Sequence, residues 1–172
     1  MNSKKKGNRG ELELVHILEK RFGEGKFKRT PSSGAYTGGK NRDGAQNLPW
    51  EAKITLVSDL ITPANFRFVL EHKFYGDVSF WDLFLDKSKW NEWVEQVEGD
   101  AGFVNKEPLL VIKYNRHNRI ALIRPKLILN NRSVREFFRW YPTPKNIDQQ
   151  SQWSVIYFED LIKLPDEFWF ES

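Results

Sequence analysis

Four side chains of this sequence have the types and spacing for phosphodiester chemistry: Glu11, Asp59, Glu71 and Lys73. Glu71 and Lys73 stand two apart in the apolar run "FVLEHKFYGD" (Phe68 to Asp77). In a strand, residues two apart share a face, so this carboxylate and this ammonium point the same way and His72 points the other way. Asp59 lies in the preceding apolar segment, "SDLI". A hairpin turning near Pro63–Phe66 brings Asp59 opposite residue 70 or 71, beside Glu71 and Lys73. Two carboxylates that close repel and raise each other's pKa, and a divalent cation between them relieves the repulsion. Mg²⁺, for which Mn²⁺ is a common substitute, binds through one or two carboxylates and keeps several waters. Such a cation polarises a phosphodiester oxygen and makes a bound water more acidic, while a lysine stabilises the developing negative charge.

Glu11 opens the amphipathic segment "ELELVHILEKRF". Leu14, Val15, Leu18 and Phe22 recur at helical spacing and form an apolar stripe, and at 100° per residue Glu11 falls within it. Its carboxylate therefore faces the core side at the helix's first turn, where the N-terminal dipole favours negative charge. A capping acid at the edge of the core is the plainer reading of the same position. The helix is expected to start at Asn8 or Gly10 and to stop at Gly23.

The elements that must position these groups follow from periodicity. A short strand is expected after Lys26, then a Gly- and Ser-containing loop to Gly44. Strands are expected from about Ile54 or Leu56 to Ile61 and again through "ANFRFVLEHKFY" as a hairpin. The segment Asp77 to Ala101 reads as a long helix with Phe80, Leu83, Phe84, Trp90, Val94 and Val97 buried. Trp93 and Gln96 fall on its other side, and Gln96 is a candidate contact for DNA or for a metal's water. Strands Pro108–Asn115 and Arg119–Pro125 flank a tight turn, and the unbroken apolar run Leu109–Ile112 suggests a central strand buried on both faces. Ser133–Tyr141 reads as helical, and Ser151–Pro165 as a strand followed by a short helix. The expected fold class is α/β, with a central mixed β-sheet flanked by helices. One domain is expected over residues 1–172, with a basic arm at 1–10 and a C-terminal extension at 126–172.

Composition bounds the function. The chain has 172 residues, 40% hydrophobic, with seven Trp and thirteen Phe, enough for a packed core. It has no cysteine, which excludes thiolate metal sites and disulfides. His16, His72 and His117 have no ligand spacing, which argues against zinc. No apolar run reaches the ~20 residues of a membrane span, so a soluble protein with no membrane partner, in the cytoplasm, is expected. The net charge of +4 is modest. Its distribution is uneven: Lys4, Lys5, Lys6, Arg9, Lys26, Lys28, Arg29, Lys40 and Arg42 all lie before residue 43, so one end of the chain can meet phosphates. A solvated basic tail is the bland alternative.

The order of these motifs resembles the PD-(D/E)XK nucleases, and within them the archaeal-type Holliday-junction resolvases. Asp59 followed by Glu71-His72-Lys73 is similar to the D…(D/E)-x-K signature. "KGNRGE" (Lys6 to Glu11) resembles the K-G-x-x-x-E helix entry of the resolvases, and "RTPSSG" (Arg29 to Gly34) their R-x-P-x-S-G loop. The resemblance covers roughly residues 6 to 125. It implies a restriction-endonuclease-like core, with Glu11, Asp59 and Glu71 as metal-site acids and Lys73 as the catalytic lysine. Ser33 would lie near the scissile phosphate, and Lys4, Lys5, Lys6, Arg9, Arg29, Ser32 and Ser33 would contact DNA. It also implies Mg²⁺ dependence, a four-way or branched DNA substrate and a homodimer, and the short charged format resembles phage-encoded recombination nucleases. The chain departs from the pattern in the long stretch between the Ser-Gly loop and Asp59, and in Ser58, which stands where Pro or Gly often precedes the acid. A second D…ExK set, Asp43 with Glu51 and Lys53, is disfavoured because no strand is expected before Glu51. The competing functions are a non-catalytic DNA-binding module of the same fold and a restriction-type or recombination nuclease acting on linear DNA.

Overall fold

The computed structural model describes residues 3–31, 47–75, 89–129 and 153–171. Helix α1 (Ser3–Phe22) leads into the two-residue strand β1 (Lys28–Arg29). Helix α2 (Trp50–Val57) is followed by β2 (Leu60–Ile61) and β3 (Phe68–Tyr75). Then come α3 (Lys89–Phe103), β4 (Glu107–Tyr114), β5 (Ile120–Ile123) and α4 (Pro125–Leu129). Strand β6 (Ser154–Tyr157) and the short helices α5 (Phe158–Leu161) and α6 (Asp166–Trp169) end the described chain.

The main sheet has the order β3-β4-β5-β6. Strands β3 and β4 run parallel, with Glu71 beside Leu110 and Lys73 beside Ile112. Parallel neighbours need a crossover, and α3 supplies it. Strands β4, β5 and β6 are antiparallel in turn, so the sheet is mixed, as the α/β reading expected. Leu109 to Ile112 are fully buried in the interior strand β4.

The two faces of the sheet are covered differently. On one, Leu14, Leu18 and Phe22 of α1 pack with Phe68, Leu70, Leu109 and Val111, and an aromatic group of Phe27, Phe66, Phe168 and Trp169 closes the end. Phe66 stacks on Trp169 with ring centroids 5.9 Å apart. On the other face, Trp90, Trp93, Val94 and Val97 of α3 pack with Leu110, Ile112 and Leu122. Each fully buried aliphatic or aromatic side chain here contributes about 1.5–3 kcal/mol. These two layers fix the strand that carries Glu71 and Lys73.

Several local expectations change. Helix α1 begins at Ser3 rather than at Asn8 or Gly10, so Lys4, Lys5, Lys6 and Arg9 belong to its first turns. Its end at Gly23 stands: Gly23 takes φ +116°, a left-handed conformation suited to glycine, and its N–H donates to Glu19 O. The expected strand from Ile54 is helix α2 up to Val57, and the strand of this segment is Leu60–Ile61. Strand β2 pairs with β1, not with β3 in a ladder, so the hairpin is replaced by a looser apposition described below. Trp93 is buried, with its ring centroid 4.7 Å from that of Tyr75, and does not face away from the apolar stripe. The expected helix over Ser133–Tyr141, the first part of the long helix expected from Asp77, and Asp43 of the alternative set lie outside the described residues.

Candidate active site

Strand β3 is the outer strand of its sheet, and the chain after α2 lies along its open side. Helix α2 ends at Val57, and Ser58 turns extended with φ −105° and ψ 156°. From there the Asp59 N–H donates to Leu70 O at 3.2 Å. The His72 N–H donates to Asp59 Oδ2 at 2.8 Å. The carboxylate is thereby held at the level of residue 72, between Glu71 and Lys73 in sequence. A hydrogen bond from a backbone N–H to a carboxylate is charge-assisted and stronger than a neutral one.

Glu71 and Lys73 leave β3 on the α3 side, and His72 leaves on the α1 side. The Lys73 ammonium donates to Glu71 Oε1 at 2.5 Å and to Gln96 Oε1 of α3 at 3.0 Å. Glu71 is 4% exposed. Burial, and then the Asp59 charge, push its carboxyl up to about 8 against the opposing pull of Lys73. Asp100, buried one turn beyond Gln96 on α3, pushes in the same direction. Burial works to lower the Lys73 pKa, but Glu71 and Asp59 outweigh it and the net shift is upward. Lys73 is thus a stable cation beside an acid pair.

Glu11 approaches from α1. It is buried to 9% exposure, on the side the apolar stripe indicated. Arg29 of β1 donates from Nε to Glu11 Oε2 at 2.5 Å and from a terminal nitrogen to Asn8 Oδ1 at 3.2 Å. Burial and the Asp59 charge raise the Glu11 pKa while Arg29 lowers it, and the net shift is upward. Asp59 is therefore the acid felt by both others. Among the described residues no three Asp, Glu or His side chains stand close enough to hold a metal ion together. Arg29 holds Glu11, and Lys73 holds Glu71. Asp59 and Glu71 offer two carboxylates to a divalent cation, whose charge would offset the repulsion that raises Glu71.

His72 lies on the opposite face under α1. A Cβ at Gly10 would overlap its ring, so glycine at this helix position permits the close approach of α1 to β3. Neither ring nitrogen has a hydrogen-bond partner among the described residues. Burial, then the charges of Arg119 and Lys73, lower its pKa to about 3, so it is neutral at physiological pH. It packs α1 onto the sheet and places the strand on which Glu71 sits.

Of the candidate residues, the fold brings Asp59, Glu71 and Lys73 together and sets Glu11 and Arg29 beside Asp59. Arg9 lies on α1, exposed and paired with Glu13. Ser32 and Ser33 lie outside the described residues. Lys53 of the alternative set is instead stacked over the Phe103 ring at 5.2 Å. Sequence reasoning misses Ser58, Asn8 and Asp100 as parts of the site. Asp100 carries the same signal that marked Glu11: an acid within a helix's apolar stripe, here beside Val97 and Ala101.

The sequence matches the family described as "Phage putative PDDEXK endonuclease" over residues 2–169. The chain belongs to this phage endonuclease family and is of PD-(D/E)XK nuclease type. Among solved structures it is similar to Hjc from Archaeoglobus fulgidus, a Holliday junction resolvase from an archaeal hyperthermophile, at 15% identity over 90% of each chain, with a TM-score of 0.41. No curated protein matches it. No helix among the described residues is long and apolar enough to cross a membrane.

Proposed function

We propose that this protein is a Mg²⁺-dependent DNA endonuclease that hydrolyses phosphodiester bonds in branched DNA, with four-way junctions as the preferred substrate. The observation that supports this reading best is the Asp59 carboxylate, fixed by the His72 N–H alongside the Glu71–Lys73 pair. Membership of the phage endonuclease family supports the reaction class. The preference for branched DNA rests on the resolvase-like "KGNRGE" and "RTPSSG" motifs.

Asp59 and Glu71 are the residues that would hold the cation, and a bound Mg²⁺ supplies Lewis acidity toward the scissile phosphate. The His72 N–H of strand β3 orients Asp59 by holding one of its carboxylate oxygens. Lys73, fully charged, stabilises negative charge developing on the phosphate oxygens. Gln96 keeps the ammonium in place when Glu71 turns to a cation. Glu11 becomes a third acid when Arg29 is drawn to a DNA phosphate. Lys4, Lys5, Lys6, Arg9 and Ser32 bind the DNA backbone, and Ser33 sits near the scissile phosphate. A homodimer presents two equal sites to a nearly twofold junction.

The test is incubation with Mg²⁺ and, separately, Mn²⁺ on a panel of four-way junction, linear duplex and single-stranded DNA. Paired symmetric cuts confined to the junction are expected. Equal cutting of linear duplex would replace the junction reading by a general nuclease. No cutting of any DNA, with binding retained, would replace catalysis by a DNA-binding role.

A further inference from the structure

We infer that Ser58 is a positioning residue for the active site: its hydroxyl fastens the Asp59 segment to strand β3 and so sets where the Asp59 carboxylate stands relative to Glu71. This inference rests on the proposed cation site and adds a residue to it.

Ser58 is 4% exposed. Its hydroxyl donates to Leu70 O at 2.7 Å and accepts the Leu70 N–H at 3.2 Å. It also accepts the Leu60 N–H at 3.2 Å. One side chain thus satisfies both backbone groups of Leu70 on the outer side of β3, where a neighbouring strand would otherwise pair. The next two links belong to Asp59, through its N–H to Leu70 O and through its carboxylate to the His72 N–H. Without the hydroxyl, the Leu70 and Leu60 N–H groups lose a buried acceptor, which disfavours this register of the segment. The segment is then held through Asp59, by its N–H to Leu70 O, by the Thr30 N–H to its carbonyl and by the His72 N–H to its carboxylate, just beyond a helix that has already ended at Val57. Alanine, valine or glycine at this position cannot make these bonds, whereas threonine can.

The experiment compares wild type with Ser58→Ala and with the isosteric pair Ser58→Thr and Ser58→Val, each checked for folding by circular dichroism. Mn²⁺ binding is read by electron paramagnetic resonance without DNA, and the Mg²⁺ midpoint of junction cleavage with it. In Ser58→Ala and Ser58→Val we expect Mn²⁺ affinity to fall and the Mg²⁺ midpoint to rise by roughly tenfold, as for removal of a group supporting a metal-binding carboxylate. The KM for DNA should stay within about twofold of wild type, and Ser58→Thr should restore the metal values, since the effect acts on the cation and not on uniform binding of DNA. Unchanged Mn²⁺ affinity in both folded hydroxyl-free variants would overturn the role of Ser58 alone. Failure of both to fold would make Ser58 a fold-holding residue and overturn it equally. Wild type that binds no Mn²⁺ would instead bring down the cation site on which the inference rests.

Discussion

The His72 backbone N–H donates to the Asp59 carboxylate at 2.8 Å, while the His72 side chain points to the other face of the sheet and supports α1. One residue therefore couples the position of an acid to the packing of a helix. Replacing Asp59 by Asn keeps a side-chain oxygen for that bond but removes the charge. Asp59→Asn and Glu71→Gln are each expected to abolish Mg²⁺-dependent cleavage, a loss of roughly 10²-fold or more. DNA affinity, measured by gel shift, should stay within a few fold. Wild-type cleavage rates in either variant would reject the site.

Lys73 donates to the Glu71 carboxyl and to the Gln96 amide oxygen. Lys73→Met removes the cation that opposes the upward shift of Glu71. The expected result is a fall in kcat with little change in DNA affinity, since the lysine acts on charge that develops in the transition state. A raised KM with unchanged kcat would make Lys73 a DNA-binding residue instead.

Glu71 and His72 predict a pH profile for the metal-free chain. Glu71 titrates near 8 in the folded protein against 4.5 unfolded, so the folded state binds the extra proton. Its contribution is fully present below pH 4.5 and is lost as pH rises through about 8. His72 titrates near 3 folded against 6.5 unfolded, so its contribution is present above pH 6.5 and is lost as pH falls toward 3. Thermal melts should show Glu71→Gln flattening the alkaline decline and His72→Leu flattening the acid one. Mg²⁺ should raise the melting temperature more at pH 8.5 than at pH 6, because protons compete for the Glu71 carboxylate.

Gly10 sits inside a helix, where alanine ordinarily gains about 0.5–1 kcal/mol over glycine. Here the added methyl meets the His72 ring, and overpacking costs about 1–3 kcal/mol. Gly10→Ala should therefore destabilise the protein in urea denaturation. A stabilised variant would show that α1 is free to move away from β3.

Deleting residues 1–6 tests the basic end. The slope of log affinity against log salt should flatten by roughly 0.9 for every phosphate that the shortened chain leaves unneutralised. An unchanged slope would leave Lys4, Lys5 and Lys6 without a part in DNA binding.

Much of this arrangement was legible in the sequence, for identifiable reasons. The alternation in "FVLEHKFY" placed Glu71 and Lys73 on one face with His72 opposite, and the stripe in α1 placed Glu11 inward. The approach of Asp59 to residue 70 was also legible, but its carrier was not. Ile54, Thr55 and Val57 are β-branched and suggest a strand. Tertiary packing wins: Ile54 and Val57, three apart, bury one helical face against Val69, Ala101 and Val104. Pro49 before the first turn suits a helix start. The parallel pairing of β3 with β4 agrees with the long helix expected between them, since parallel neighbours need such a crossover. The hold of Arg29 on Glu11 had no signal in the sequence, because it joins residues of two elements through side-chain geometry alone.

The segment Ser58–Asp59 also has a second consequence for the sheet. An outer strand as apolar as β3, left bare, is a template on which another chain can add a strand, the first step of aggregation. By occupying the Leu70 and His72 positions, the acid-bearing segment blocks that growth. Variants that loosen it should lose solubility together with activity, so purification yield and turnover will fall in parallel even when the protein left in solution is folded.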